Sequence, residues 1–91
     1  MRVRWTTTAA AGLAHIVEYI RQDNPVAARR VARTVYRSIA RLGKFPGAGR
    51  IGLGREHREL VFSPWPYIVV YEVVGGQVQV LRIRHAAQDL P

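Results

Sequence analysis

The sequence has no cysteine. That absence excludes disulfide staples and thiolate metal sites, and it fits a reducing compartment such as the cytoplasm. Lysine is nearly absent, with Lys44 alone, and acidic residues are few, six against fourteen basic ones. Long apolar runs are missing too. The longest, Tyr67 to Tyr71, is far too short to cross a membrane. The opening stretch MRVRWTTTAAAG has no apolar core of the signal-peptide kind and reads as the start of a soluble domain. Internal repeats, linkers and low-complexity segments are absent. A chain of 91 residues is long enough for one domain, residues 1–91, and too short for two.

What the chain has instead is arginine. Thirteen of its fourteen cations are arginines, and the formal net charge is +8. Arginine suits bidentate contact with phosphate or carboxylate. The expected partners are therefore a polyanion, an acidic protein, or both. An arginine-favouring genome is the bland explanation of the same bias.

The periodicities give the element order. VRW at 3–5 alternates as a short strand does, and TTT at 6–8 offers N-cap hydroxyls. Leu13, Ile16, Val17 and Ile20 form one face of a first helix. QDNP at 22–25 ends it, with Asn24 placed to cap a second helix and Pro25 at that helix's first position. The second helix buries Ala28, Val31, Val35, Ile39 and Leu42 and stops at Gly43. Residues 43–54, GKFPGAGRIGLG, form a connector whose Phe45 and Ile51 are expected to pin it to the core. Its glycines lack the GK[ST] ending of a phosphate loop. Three strands follow at 58–62, 67–74 and 77–85, with SPWP and the Gly75–Gly76 hairpin turn between them. The order β-α-α-β-β-β predicts an α+β fold, a helix hairpin packed on one face of a small antiparallel sheet.

A two-residue turn at Gly75 and Gly76 sets a register. Val74 then pairs with Gln77, Tyr71 with Val80, Val69 with Arg82 and Tyr67 with Arg84. Ile68, Val70, Leu81 and Ile83 would lie under the helices. Tyr67, Val69, Tyr71, Val80, Arg82 and Arg84 would form the open face. Arg82, Tyr67 and Tyr71 are thus candidates for binding a target's phosphates and bases, although arginine–tyrosine neighbours on a sheet are also ordinary solvated pairs.

His85 has the parity of Leu81 and Ile83 but stands at the strand end. A bulge there would bring it to the rim beside Arg84 and Arg58. A lone histidine is more often a structural hydrogen-bonder than a catalyst. His15 lies off the apolar stripe and reads as surface. Arg29, Arg33, Arg37 and Arg41 recur every four residues opposite the second helix's stripe. They form a basic ridge for an acidic partner or phosphate, or a solvated face. Glu56, His57 and Glu59 have no metal-site spacing, Ser38 and Ser63 have no hydrolase context, and no metal or cofactor is expected.

Taken together, the ordered pieces resemble the RelE/ParE superfamily of bacterial toxins, its ParE-like plasmid-stabilisation branch above all. The pieces are IVEYIRQDNPVAARRVARTVYRSIARLGKFPGAGR, HREL, YIVVYEV and VQVLRIRHAAQDLP. The resemblance implies the toxin of a type II toxin–antitoxin system, acting in the cytoplasm and silenced by a cognate acidic antitoxin. That partner is expected on the ridge of Arg29, Arg33, Arg37 and Arg41. Two targets are implied by different branches: DNA gyrase, inhibited without cleavage, or ribosome-bound mRNA, cut by an endoribonuclease. A degenerate binding module is the third possibility. For the nuclease, the matching positions are His85 as acid or base and Arg58 and Arg84 as the electrostatic clamp, with Arg82 and Tyr67 in support. The chain departs from the RelE pattern in having one lysine and no tyrosine after Tyr71, and Gln88 stands where the family's tail often carries arginine.

Overall fold

The computed structural model describes residues 1–86 apart from Leu53 and Arg55. Strand β1 (Arg2–Trp5) leads into helices α1 (Thr7–Arg21) and α2 (Pro25–Ala40). A 3-10 turn at Arg41–Gly43 and a connector follow, then β2 (Arg50–Ile51), β3 (Arg58–Val61), β4 (Tyr67–Val74) and β5 (Gln77–His85). The strands form one sheet in the order β1-β5-β4-β3-β2. The expected α+β layering is present, with two additions. The sheet is mixed, because β1 runs parallel to β5, and the short β2 extends it beyond β3.

Both helix starts follow from their caps. Thr6 Oγ1 accepts from the Ala9 amide at 3.0 Å, and Asn24 Oδ1 accepts from the Ala27 amide at 3.0 Å with Pro25 at the first position of α2. Each cap satisfies an amide that the helix itself leaves unpaired. The α2 stripe of Ala28, Val31, Val35 and Ile39 is the core seam, continued by Leu42 in the 3-10 turn because α2 ends at Ala40 and not at Gly43, each residue at most 4% exposed. It meets Val69, Tyr71, Val78 and Val80 of the hairpin. Leu13, Ile16 and Ile20 of α1 close over the cluster's side.

The hairpin register departs from the regular one halfway along. Val74 pairs with Gln77 and Tyr71 with Val80 as the turn dictates, and Gly75 and Gly76 both adopt the positive φ this turn requires. Past Val80 a bulge shifts the ladder by one residue. Val70 then faces Arg82, Val69 faces Ile83, Ile68 faces Arg84 and Tyr67 faces His85. The bulged Leu81 carbonyl accepts the Thr6 hydroxyl at 2.7 Å, so the cap of α1 also occupies the group that the bulge frees from the ladder.

Opposed residues share a face, so the shift brings Ile83 and His85 to the face of Tyr67, Val69, Tyr71 and Val80 and sends Arg82 and Arg84 to that of Ile68 and Val70. It is the first of these faces that the helices cover. Tyr67, Val69, Tyr71, Val78, Val80 and Ile83 belong to the helix side, not to the open face as the regular register has it for the first three and Val80. Ile68, Val70, Arg82 and Arg84 lie on the other side, together with Arg2 and Arg4 of β1. Tyr71 is fully buried and is therefore no surface for stacking bases.

The connector is pinned, but not by the residues the sequence suggested. Phe45 and Ile51 are more than half exposed. The anchor is Tyr71, whose hydroxyl donates to the Pro46 carbonyl at 2.7 Å and accepts from the Gly49 amide at 2.8 Å. A Cβ at Gly49 would stand 2.7 Å from the Tyr71 hydroxyl and 2.8 Å from the Glu59 carbonyl oxygen, which is why no side chain fits there.

Candidate functional site

Three regions gather the chemistry-bearing side chains. The first is a rim cavity of about 380 Å³ between α1 and the end of the hairpin. His85 and Tyr67 meet there edge to face, ring centroids 5.8 Å apart, with His15 and Tyr19 of α1 opposite. Burial pushes the Tyr67 hydroxyl above its ordinary pKa, and the nearby Tyr19 adds to the rise. Tyr67 is thus kept neutral near pH 7 and is a poor general base.

The second region is a carboxylate clamp on the open face. Glu59 on β3 pairs with Val70, which pairs with Arg82, so these side chains share the face with Arg84. Glu59 accepts from Arg84 through Oε2 and from Arg50 through Oε1, the latter at 3.2 Å. Burial raises the Glu59 pKa, but the Arg84 and Arg50 guanidiniums outweigh it and hold the carboxyl below its usual value. Beside this clamp His57 Nε2 lies 3.6 Å from Glu72 Oε2. Arg82, Arg2 and Arg4 remain exposed on the same side of the sheet.

The third region is apolar. Met1 just before β1, Val3 and Trp5 of β1, Ala10 and Leu13 of α1, and Tyr36 and Ala40 of α2 line an open groove of about 600 Å³. Trp5 and Tyr36 stack across it with centroids 6.1 Å apart. Sequence reading gave no weight to this groove, although Tyr36, 61% exposed on an otherwise arginine-rich helix face, is the residue that signals it.

The nuclease trio is not brought together. His85 lies on the helix side, in the rim cavity. Arg84 lies on the opposite face, against Glu59. Arg58 faces Tyr71 on the helix side, and its guanidinium donates to the Gly49 carbonyl at 2.9 Å. From His85 to Arg58 is four residues along and two strands across, about 13 Å by about 10 Å at ordinary strand spacings. The bulge thus leaves His85 beside Tyr67, not beside Arg58. Gln88 lies outside the described residues. Among the described residues no group of three or more His, Asp or Glu is placed to hold a metal ion.

This scatter sits in a fold that has relatives. A family model for the ParE toxin of type II toxin–antitoxin systems, parDE, matches residues 3–90. The chain belongs to the ParE toxin family. A putative toxin, Y4kP, of Sinorhizobium fredii is 38% identical over 99% of this chain and 93% of its own length. Toxin RelE2 of Caulobacter vibrioides is 41% identical over 96% of this chain and 97% of its own. Among solved structures, a chain of the chromosomal ParDE system from P. aeruginosa superposes with a TM-score of 0.82 at 28% identity, covering 93% of this chain and 95% of that one. A ParE toxin is one half of a toxin–antitoxin pair, so a cognate antitoxin is a partner of this protein. No helix among the described residues is long and apolar enough to cross a membrane.

Proposed function

We propose that this ParE-family toxin arrests growth by binding DNA gyrase in the cytoplasm and does not cut RNA. The observation that carries this reading is the separation of His85, Arg58 and Arg84. Cleavage by a neighbouring 2′-hydroxyl needs a base, an acid and cations converging on one phosphate. Here the three side chains lie on two faces of the sheet, and both arginines already hold protein oxygens. The family's gyrase branch asks only for a binding surface.

We place the cognate antitoxin's anchoring side chains in the groove of Val3, Trp5, Leu13 and Tyr36, in place of the Arg29, Arg33, Arg37 and Arg41 ridge expected from the sequence. Aromatic-lined apolar grooves are where protein partners place their anchoring side chains. An acidic partner would also be drawn by the net charge of +8.

Two assays on purified toxin test the activity. Gyrase supercoiling should be inhibited, while message on translating ribosomes stays intact. Cut message with normal supercoiling would reverse the reading in favour of the endoribonuclease. Neither effect, together with harmless expression in cells, would leave a degenerate binding module.

A further inference from the structure

The net charge is not spread over the chain. Residues 24–55 contain eight of the fourteen basic residues and none of the six acidic ones, so that segment carries the whole +8 and the remainder is balanced. A genome that merely favours arginine would not sort the carboxylates away from it. Arg29, Arg30, Arg33, Arg37 and Arg41 of this segment stand on α2 and its C-cap, all exposed. At about 100° per residue they fill an arc of about 120° opposite the buried stripe, and from Arg29 to Arg41 they run for about 18 Å. The ion pairs of the described residues involve Arg21, Arg50, His57 and Arg84, and none of these five. The Arg41 guanidinium lies 5.8 Å from the Phe45 ring centroid. Each i, i+4 arginine pair is mildly unfavourable, and among the described residues no carboxylate pairs with any of the five.

We infer that this ridge docks on the phosphodiester backbone of duplex DNA. The core of a protein–protein interface is built on aromatic and apolar side chains, with arginine as its one enriched cation. The ridge has the cations without that aromatic core, and the aromatic-lined groove already supplies the protein-like surface. Guanidinium forks match phosphate oxygens two at a time. A helix about 10–12 Å across fits a major groove about 12 Å wide. Arginines on both flanks of the arc then face the two phosphate walls. Along one strand, with a charge about every 3.4 Å, the ridge runs beside about five phosphates.

The inference concerns DNA alone and stands apart from the choice of gyrase. The test is anisotropy of a short fluorescein-labelled duplex with the full-length toxin over a salt series, no gyrase present. The wild-type logarithmic salt slope should be about −3.6 to −4.5, as four or five neutralised phosphates give. The variant pair Arg33→Gln with Arg37→Gln should reduce that slope by about 2 and weaken binding at low salt about tenfold or more. Arg2→Gln with Arg4→Gln removes the same charge from the other side of the sheet and should leave slope and affinity near wild type. Unchanged melting temperatures confirm that both variants fold. Equal losses in the two variants, no binding by the wild type at low salt, or equally tight binding of single-stranded RNA or polyglutamate would each overturn the inference.

Discussion

On its covered face the sheet presents Val69, Tyr71, Val78 and Val80, all fully buried, and the Tyr71 hydroxyl there is satisfied by the connector's backbone at both donor and acceptor. On its open face Arg2, Arg4 and Arg82 stand in solvent, and the Glu59 clamp of Arg84 and Arg50 is the main fixed feature. The covered face depends on shape and on unmet backbone groups, which are unforgiving. Apart from the buried Ile68 and Val70, the open face depends on charge, which water and salt moderate. Substitutions should therefore divide sharply by face.

The largest effect is expected at Gly49, behind Tyr71. Gly49→Ala forces a methyl group against the Tyr71 ring and the Glu59 carbonyl, and should cost about 3 kcal/mol, the upper part of the usual overpacking range. The midpoint of denaturant unfolding reads it. Tyr71→Phe keeps the ring but strands the Gly49 amide and the Pro46 carbonyl, at about 1–3 kcal/mol in the same measurement. An unchanged midpoint in either variant would mean that the connector is not held from the covered face.

Glu59 gives a smaller, pH-dependent effect. Its folded pKa lies below the unfolded one, so the unfolded state binds the proton more readily. The stabilisation is fully present above the ordinary carboxylate range, about pH 4.3, and is lost as pH falls through the folded value. Glu59→Gln should flatten that acid limb of the stability profile and remove the carboxylate charge from beside Arg84 and Arg50. Arg82→Gln, exposed on the open face, should stay within about 0.5 kcal/mol of wild type. A larger loss there would break the division between faces.

The helices were legible from the sequence because each has one apolar stripe and one polar arc. Ala28, Val31, Val35, Ile39 and Leu42 are recoverable from spacing alone, as are the caps at Thr6 and Asn24. The hairpin was legible only up to Val80. In β4 the run YIVVY is apolar on both faces, so alternation does not say which side meets the helices, and the register rests on counting from the turn. One bulged residue, Leu81, defeats that count and exchanges the faces of Tyr67, Val69, Ile68 and Val70 relative to the arginines. The bulged residue is tied down by a tertiary contact, Thr6 with the Leu81 carbonyl, which no local pattern announces. The candidate site inherited the same error. The histidine and arginines named from the sequence are all present, but the ladder distributes them over two faces, while the Trp5–Tyr36 groove needs residues from three elements and has no linear signature.

The most direct test of the central claim, that this toxin acts by binding and not by acid–base cleavage, is growth arrest by His85→Ala expressed without the antitoxin. The account predicts arrest as complete as that of the wild type at equal protein level and an unchanged melting temperature. A folded His85→Ala protein that no longer arrests growth would contradict it.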